Sequence, residues 1–335
     1  MPAYDNTAAI PRQELAPVIV GGQGVNARNI WPLVLPLYPV DKRSLHLITA
    51  LVKDASLLRI MGDKFKRQPG ANFERVNMTF GESTLTLEER GQEVLIPDEL
   101  ELDFAGYFST EAVGAQRAAD MIDLTSEYLC AAAIFNTTNF GSATNSATAY
   151  TTANLATMTP IEDINLSIER VKQKGEVPDT IIIPLQVWQR IRQSTNVKGA
   201  VAQGSGFSPV AAGTVTTALF QQYFADQGIK QVLIADGRYN TADDGATPSF
   251  TKIWANTYIW VGKCGSNFAT NENGMSTLAG IGGMFFWADF AAANGYGVET
   301  YRDETRKSNV VRAITTATAY IGLTSGGDLI GTQYS

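Results

Sequence analysis

Only one stretch of the chain has the outward form of a cofactor motif. Val18-Ile19-Val20 reads as a strand, and Gly22-Gln23-Gly24-Val25-Asn26-Ala27 follows it with the glycine spacing of a dinucleotide fingerprint. Asp41 lies about 20 residues further on, as that fingerprint requires. The chemistry, however, needs a helix opening at the glycines so that its N-terminus meets the pyrophosphate. Pro32, Pro36 and Pro39 forbid that helix, so the stretch reads as a turn. The single histidine, His46, cannot alone build a two-histidine metal site or serve a nucleophile for which no signature exists. It reads as a packing residue in a short helix. Gly262-Lys263 lacks the upstream glycine and the hydroxyl residue of a phosphate loop.

Carboxylates are plentiful but blandly placed. Asp98, Glu99, Glu101 and Asp103 sit on the return of a predicted hairpin, and Glu162 and Asp163 suit the first turn of a helix. Asp236, Asn240, Asp243 and Asp244 fit no calcium-loop spacing and read as a solvated turn. The bases are scattered or stand beside acids, as in Arg302-Asp303-Glu304 and Arg306-Lys307, with no basic stripe interleaved with aromatics. The reading therefore assigns no catalytic, cofactor-binding or metal-ligating residue, and expects a protein that is not an enzyme.

Composition agrees with a folded, non-catalytic body. Of 335 residues 44% are hydrophobic and 18% charged, which excludes intrinsic disorder. The 33 acidic and 26 basic residues give a formal charge of -7, unsuited to sequence-independent DNA binding through clustered cations. Cys130 and Cys264 have no metal spacing and read as buried apolar groups in a reducing compartment. The N-terminus carries no secretory pattern, and the longest apolar stretch, Leu278 to Phe290, is interrupted by Gly280 and Asp289 and is too short to span a bilayer. A cytoplasmic, non-membrane protein is expected.

Residues 1–45 are apolar yet broken by six prolines and by Gly21, Gly22 and Gly24. They read as an arm that must be covered by its own fold or by a neighbour. A short helix is expected over 44–61. Residues 65–104 then alternate with period two, with turn signals at Gly70, Gly81 and Gly91, and read as a long charged hairpin without a core of its own. Ser109 or Thr110 caps a predicted helix from Glu111 to Phe135, with no proline inside it. Ala112, Ala115, Ala119, Ile122, Leu129 and Ala133 mark its apolar side, and Arg117, Asp120, Asp123 and Glu127 the other. At about 1.5 Å per residue it is a rod nearly 40 Å long, lightly buried because so many of its apolar positions are alanine.

A polar linker over 136–159 precedes α/β grammar. A helix starts at Thr159-Pro160, strands are expected over 179–183, 232–234, 253–261, 284–287, 298–301 and 310–321, and helices follow Pro184 and span 216–226.

This order of parts resembles the major capsid proteins of tailed double-stranded DNA phages, the Hong Kong 97-type fold. Phe65-Lys66-Arg67, Ile96-Pro97-Asp98-Glu99, Glu127-Tyr128-Leu129, Val177-Pro178-Asp179-Thr180, Ala235-Asp236-Gly237-Arg238-Tyr239-Asn240 and Gly326-Gly327-Asp328-Leu329-Ile330 carry the resemblance. Each motif is weak alone, and their order is what is specific. The resemblance implies an α+β fold with residues 1–60 as N-arm and short helix, 61–105 as E-loop, and 106–154 as P-domain with the spine helix. Residues 155–297 would form a mixed α/β A-domain, and 298–335 would return through the P-domain. Contacts between subunits would then fall on Lys66, Arg67, Glu74, Arg75, Glu82, Glu88, Glu89, Arg90 and Glu93 of the E-loop and on Trp31, Leu33 and Leu35 of the arm.

The same resemblance implies a homo-oligomeric icosahedral shell of pentamers and hexamers, assembled in the host cytoplasm and enclosing DNA without reading its sequence. A separate scaffolding protein, a portal and a decoration protein would be its partners, and no cofactor is implied. Lys64 and Lys66 identify no covalent cross-link, since no acceptor stands out. An encapsulin-type compartment shares the fold, and an α/β enzyme with its site at strands 179–183 and 232–236 is the alternative from another class. On the capsid reading, deleting residues 70–95 should leave a folded subunit that forms no shells.

Overall fold

The computed structural model describes residues 10–11, 29–50, 66–67, 69–72, 80–104, 109–204, 215–243, 245–264, 269–270, 276–277, 280–288 and 295–334. The chain divides into two compact units, residues 42–86 and residues 1–41 with 87–335.

In the smaller unit Ser44–Ala50 (β3) pairs antiparallel with Phe80–Thr86 (β4), Ser44 facing Thr86 and Ala50 facing Phe80. The helix expected over 44–61 is thus a strand as far as Ala50, and residues 51–61 lie outside the described residues. Leu45 and Leu47 alternate with Ser44 and His46, a period-two pattern that a partner strand converts into a ribbon. His46 is therefore a strand residue. Gly70 is in a turn with φ +87°, as expected, whereas Gly81 lies inside β4.

The larger unit is organised by Ser308–Ile321 (β16). One edge of it pairs with Gly297–Asp303 (β15). The same edge takes Gly282–Trp287 (β14) along the last five residues of β16, and the opposite edge takes Glu88–Pro97 (β5) along its first ten, all antiparallel. Leu37–Val40 (β2) adds parallel to β14, and Ile10–Pro11 (β1) adds to β15. The expected hairpin is corrected here. The segment after Leu87 is a strand of this sheet, and Gly91 is no turn but a mid-strand residue. A Cβ on Gly91 would stand 3.3 Å from the Ala313 carbonyl oxygen, so glycine lets β5 lie close on β16. Deleting 70–95 would remove most of this strand.

The spine helix, Thr110–Ile134, begins as expected: the Ser109 side chain accepts from the Ala112 N–H, and Glu111 sits in the first turn. Its buried face differs from the expected one. Ala115, Ala118, Ala119, Ile122, Cys130, Ala131 and Ile134 are buried, while Ala112, Leu129 and Ala133 are only half-buried. Glu127, expected on the solvent side, is fully buried. The alanines let the helix settle on Ile96 of β5, Val298 of β15 and Val311 and Ala313 of β16. Gly114 continues this close seam, since a Cβ there would meet the Ile96 Cδ1 at 3.0 Å.

A second sheet runs Thr144–Asn145 (β6), Gly327–Gly331 (β17), Tyr258–Gly262 (β11), Thr180–Pro184 (β7) and Gln231–Ala235 (β8). Helix Pro160–Gln173 buries Ile161, Ile164, Ile168 and Val171 at helical spacing against it, together with Trp188 of Leu185–Ile191 and Phe220 and Phe224 of Thr217–Phe224. The strand expected over 253–261 starts only at Tyr258, because Ile253 and Trp254 turn into the core. Arg238–Asn240 (β9) and Phe250–Lys252 (β10) make a small ribbon ahead of it.

The arm residues 30–38 join this fold: Ile30, Trp31, Val34, Leu35 and Tyr38 are buried. Tyr38 lies flat on β14, where an added Cβ at Gly283 would come within 2.1 Å of two of its ring carbons. Replacing Gly283 with valine should therefore lift Tyr38 off the sheet and cost about 1–3 kcal/mol, as overpacking does. Urea unfolding of the purified chain checks this, and an unchanged midpoint would show that the ring can move aside.

Candidate functional site

Among the described residues no cluster of three or more His, Cys, Asp or Glu could hold a metal ion, and no helix is long and apolar enough to cross a membrane. The dinucleotide-like glycines lie outside the described residues. Asp163 accepts from the Tyr150 hydroxyl at 2.7 Å, and burial holds that phenol far above its ordinary range. The Asn240 carboxamide oxygen accepts the N–H groups of Ala242 and Ser249, and Asp236 pairs with Arg238 at 3.6 Å. These carboxylates and amides fasten loops to elements. Cys130 and Cys264 are both buried, and both thiols are raised by burial out of reach of ordinary thiolate chemistry.

The charged residues of the E-loop reading form a surface on β5. Glu88, Glu89 and Glu93 are exposed and Arg90 half-buried. Arg90 pairs with Glu88 and donates from Nη1 to the Ala317 carbonyl at 3.1 Å. Glu93 accepts from the Tyr301 hydroxyl at 3.2 Å and faces Arg312 at 3.5 Å, while Arg312 also binds the buried Glu299 and lies 5.4 Å from the Tyr301 ring centroid. Four of the expected contact residues are thus gathered on one strand, two of them tied to β15 and β16 of their own chain. Lys66 and Arg67 are exposed outside any helix or strand, Glu82 is exposed on β4, and Glu74 and Arg75 lie outside the described residues.

Beyond Pro97 the chain enters the acidic helix Asp98–Phe104, where a hairpin return was expected. Arg302 grips Asp98 with two N–H groups, one at 2.6 Å, and holds its carboxyl below the usual carboxylate range. Asn309 donates to Glu101 at 2.9 Å. The helix is thereby pinned to the turn between β15 and β16 while Leu102 remains 78% exposed.

The arm residues divide. Trp31 and Leu35 are buried in the core that holds Cys130, Ile134 and Trp254 of the same chain, and Leu33 alone faces outward, 53% exposed. Two carboxylates on the spine helix hold this segment. Asp123 accepts from the Trp31 indole at 2.6 Å and from the Asn29 amide at 2.9 Å. Glu127 accepts the Ile30 and Trp31 N–H groups at 3.0 and 2.8 Å on one oxygen and the Trp254 indole on the other. Sequence reading missed this cluster because Asp123 and Glu127 sit four apart among charged residues, as exposed helix residues also do.

No family model matches the chain, and no curated protein matches it. Solved structures do. A phage-related protein of Bordetella bronchiseptica RB50 superimposes with TM-score 0.68 at 16% identity, over 97% of this chain and 98% of that one. The protein of Microbacterium phage Oxtober96 matches with TM-score 0.55 at 9% identity, over 100% and 95%. The capsid structure of cyanophage P-SCSP1u matches with TM-score 0.53 at 12% identity, over 89% and 86%. The chain therefore has the mixed α/β, Hong Kong 97-type capsid fold along nearly its whole length.

Glu299→Ala would leave the half-buried Arg312 guanidinium with only Glu93, and should destabilise the larger unit by about 1–3 kcal/mol. Removing both charges, Glu299→Leu with Arg312→Leu, should recover part of that loss. Chemical denaturation of the three variants measures both effects, and equal stability of all of them would show the pair to be energetically idle.

Proposed function

We propose that the chain is the major capsid protein of a tailed double-stranded DNA phage, self-assembling into pentamers and hexamers of an icosahedral shell around the genome. The observation that carries this reading is the match of almost the entire chain, end to end, to phage proteins of the capsid fold. The described residues also lack a metal cluster, and their buried acids are engaged in structural bonds.

In this reading residues 42–86 serve as the E-loop that engages a neighbouring subunit. Lys66, Arg67 and Glu82, with Glu89 on the adjoining strand, would set register between subunits through charge. Leu33 is the apolar arm residue available for the same purpose. A net charge of -7 suits a wall that encloses DNA without condensing it. A separate scaffolding protein, a portal and a decoration protein would act on the assembled subunits, and the product would be a virion capsid built in the host cytoplasm.

The test is negative-stain electron microscopy with light scattering on the purified protein. Closed shells, or rings of five and six, are expected. Shells that recruit an enzyme and exclude DNA in the producing cell would favour an encapsulin-type compartment. A monodisperse monomer that still fails to assemble beside a co-expressed scaffold would reject the reading.

A finer test follows from the two-unit division. Replacing residues 44–85 with a short Gly-Ser linker should leave the larger unit folded, with the same helix and strand signature by circular dichroism, and abolish shells. Shells of normal size from this variant would remove residues 42–86 from the assembly contacts.

A further inference from the structure

We propose that Glu127 makes docking of the arm on the spine helix proton-coupled, so that the segment 29–35 is held more tightly as the solution becomes more acidic. The geometry is that of one carboxyl group with three jobs. It is fully buried, and its two oxygens receive N–H groups from the arm (Ile30 and Trp31) and from the Trp254 segment. Docking the arm is therefore what closes Glu127 off from water. A carboxylate sealed in this way loses hydration that three neutral donors replace only in part, and among the described residues no base pairs with it.

The charged and titratable groups around it do not offset this. On its own helix stand Asp120 and Asp123, the latter bound to the arm through Asn29 and Trp31, and one turn on stands the buried Cys130. Asp123 adds like-charge repulsion. The ribbon of β9 and β10 approaches through Gly237, where a Cβ would stand 3.4 Å from the Glu127 Cγ. The charges nearest that approach are engaged elsewhere: Asp236 with Arg238, and Lys252 with Gln186. The described arm residues 29–35 carry no charge.

The sign follows from linkage. Burial first, against the opposing pull of the three donors, raises the Glu127 carboxyl from its ordinary 4.5 to about 6 when the arm is docked. With the arm released and Glu127 hydrated, the ordinary value returns. The docked state thus binds the proton more tightly, so docking strengthens as pH falls through 6 and levels off below 4.5. The full span corresponds to up to about 30-fold in the docking equilibrium.

Hydrogen exchange of the full-length chain between pH 7.5 and 5, corrected for the intrinsic pH dependence of exchange, tests this. Protection of the Ile30 and Trp31 amides is expected to rise by about eightfold relative to amides of β16. In Glu127→Gln this rise should vanish, since the amide cannot titrate. In Trp254→Phe one donor to the carboxylate is lost, so the midpoint of the rise should move to higher pH, a change that mere loosening of the core would not produce. Protection that falls or stays flat in the wild type overturns the proposal, as does the same rise in Glu127→Gln. Arm amides that track β16 at every pH overturn it too, because the arm would then open only with the whole unit.

Discussion

A single long strand sets the terms for the larger unit. β16 runs fourteen residues, and both of its edges are taken: β15 and then β14 on one side, β5 on the other. Every one of those strands needs its backbone groups paired, and β16 supplies the partners. The arm reaches the sheet through β1 on β15 and β2 on β14, and the spine helix lies on the region where β5, β15 and β16 meet. Long-range pairing of this kind closes large loops, from β5 at residue 88 to β16 at 308, so the unit can form its sheet only after most of the chain is present.

What sits over that sheet had to be thin. A seam of Gly114, Ala115, Ala118 and Ala119 brings the helix close to the strands but buries little apolar area per residue. The deficit is met at the other end of the helix by polar anchoring. Asp123 and Glu127 bind the arm, and Glu127 also binds Trp254, so three segments separated by about a hundred residues or more converge on one turn of helix. Charge-assisted hydrogen bonds hold geometry more strictly than alanine contacts do, which suits a joint where an irregular arm must be kept in one register.

Much of this was legible in the chain and some was not. The spine helix could be read to within a residue or two because its cap, acidic first turn and freedom from proline are local signals. So could β7, whose three consecutive isoleucines are buried on both faces, and helix Pro160–Gln173 with its N-terminal proline and following glycine. The strand at Ser44 was misread because seven apolar and polar residues in alternation become a strand only when β4 arrives from beyond residue 80. Gly91 looked like a turn because sequence shows that a residue is permissive and not why. Its reason is the Ala313 carbonyl, 222 residues away. Glu127 escaped notice for the same kind of reason: a buried acid and an exposed one look alike until their donors are placed. The polar surfaces of β5 were seen as a charged group, but that Glu93 and Arg90 are tied to their own sheet depends on β16.

The distribution of what remains exposed bears on the capsid reading more than any single contact does. Isolated apolar side chains on a surface are ordinary and need no partner. Leu102 differs in how it is carried. The helix that bears it is gripped by Arg302 through Asp98 and steadied by Asn309 through Glu101, so the side chain is presented from a fixed support. Phe250, 69% exposed, is likewise carried on β10, whose ribbon is locked by Asn240. A contact residue held in place before binding gives up little conformational entropy when a neighbour covers it. Rigidly mounted apolar residues at separate points of a subunit would give many small contacts, none of them strong. That is the arrangement a closed shell requires, since subunits must pair weakly enough to correct misplacement and yet be held together by the number of their neighbours.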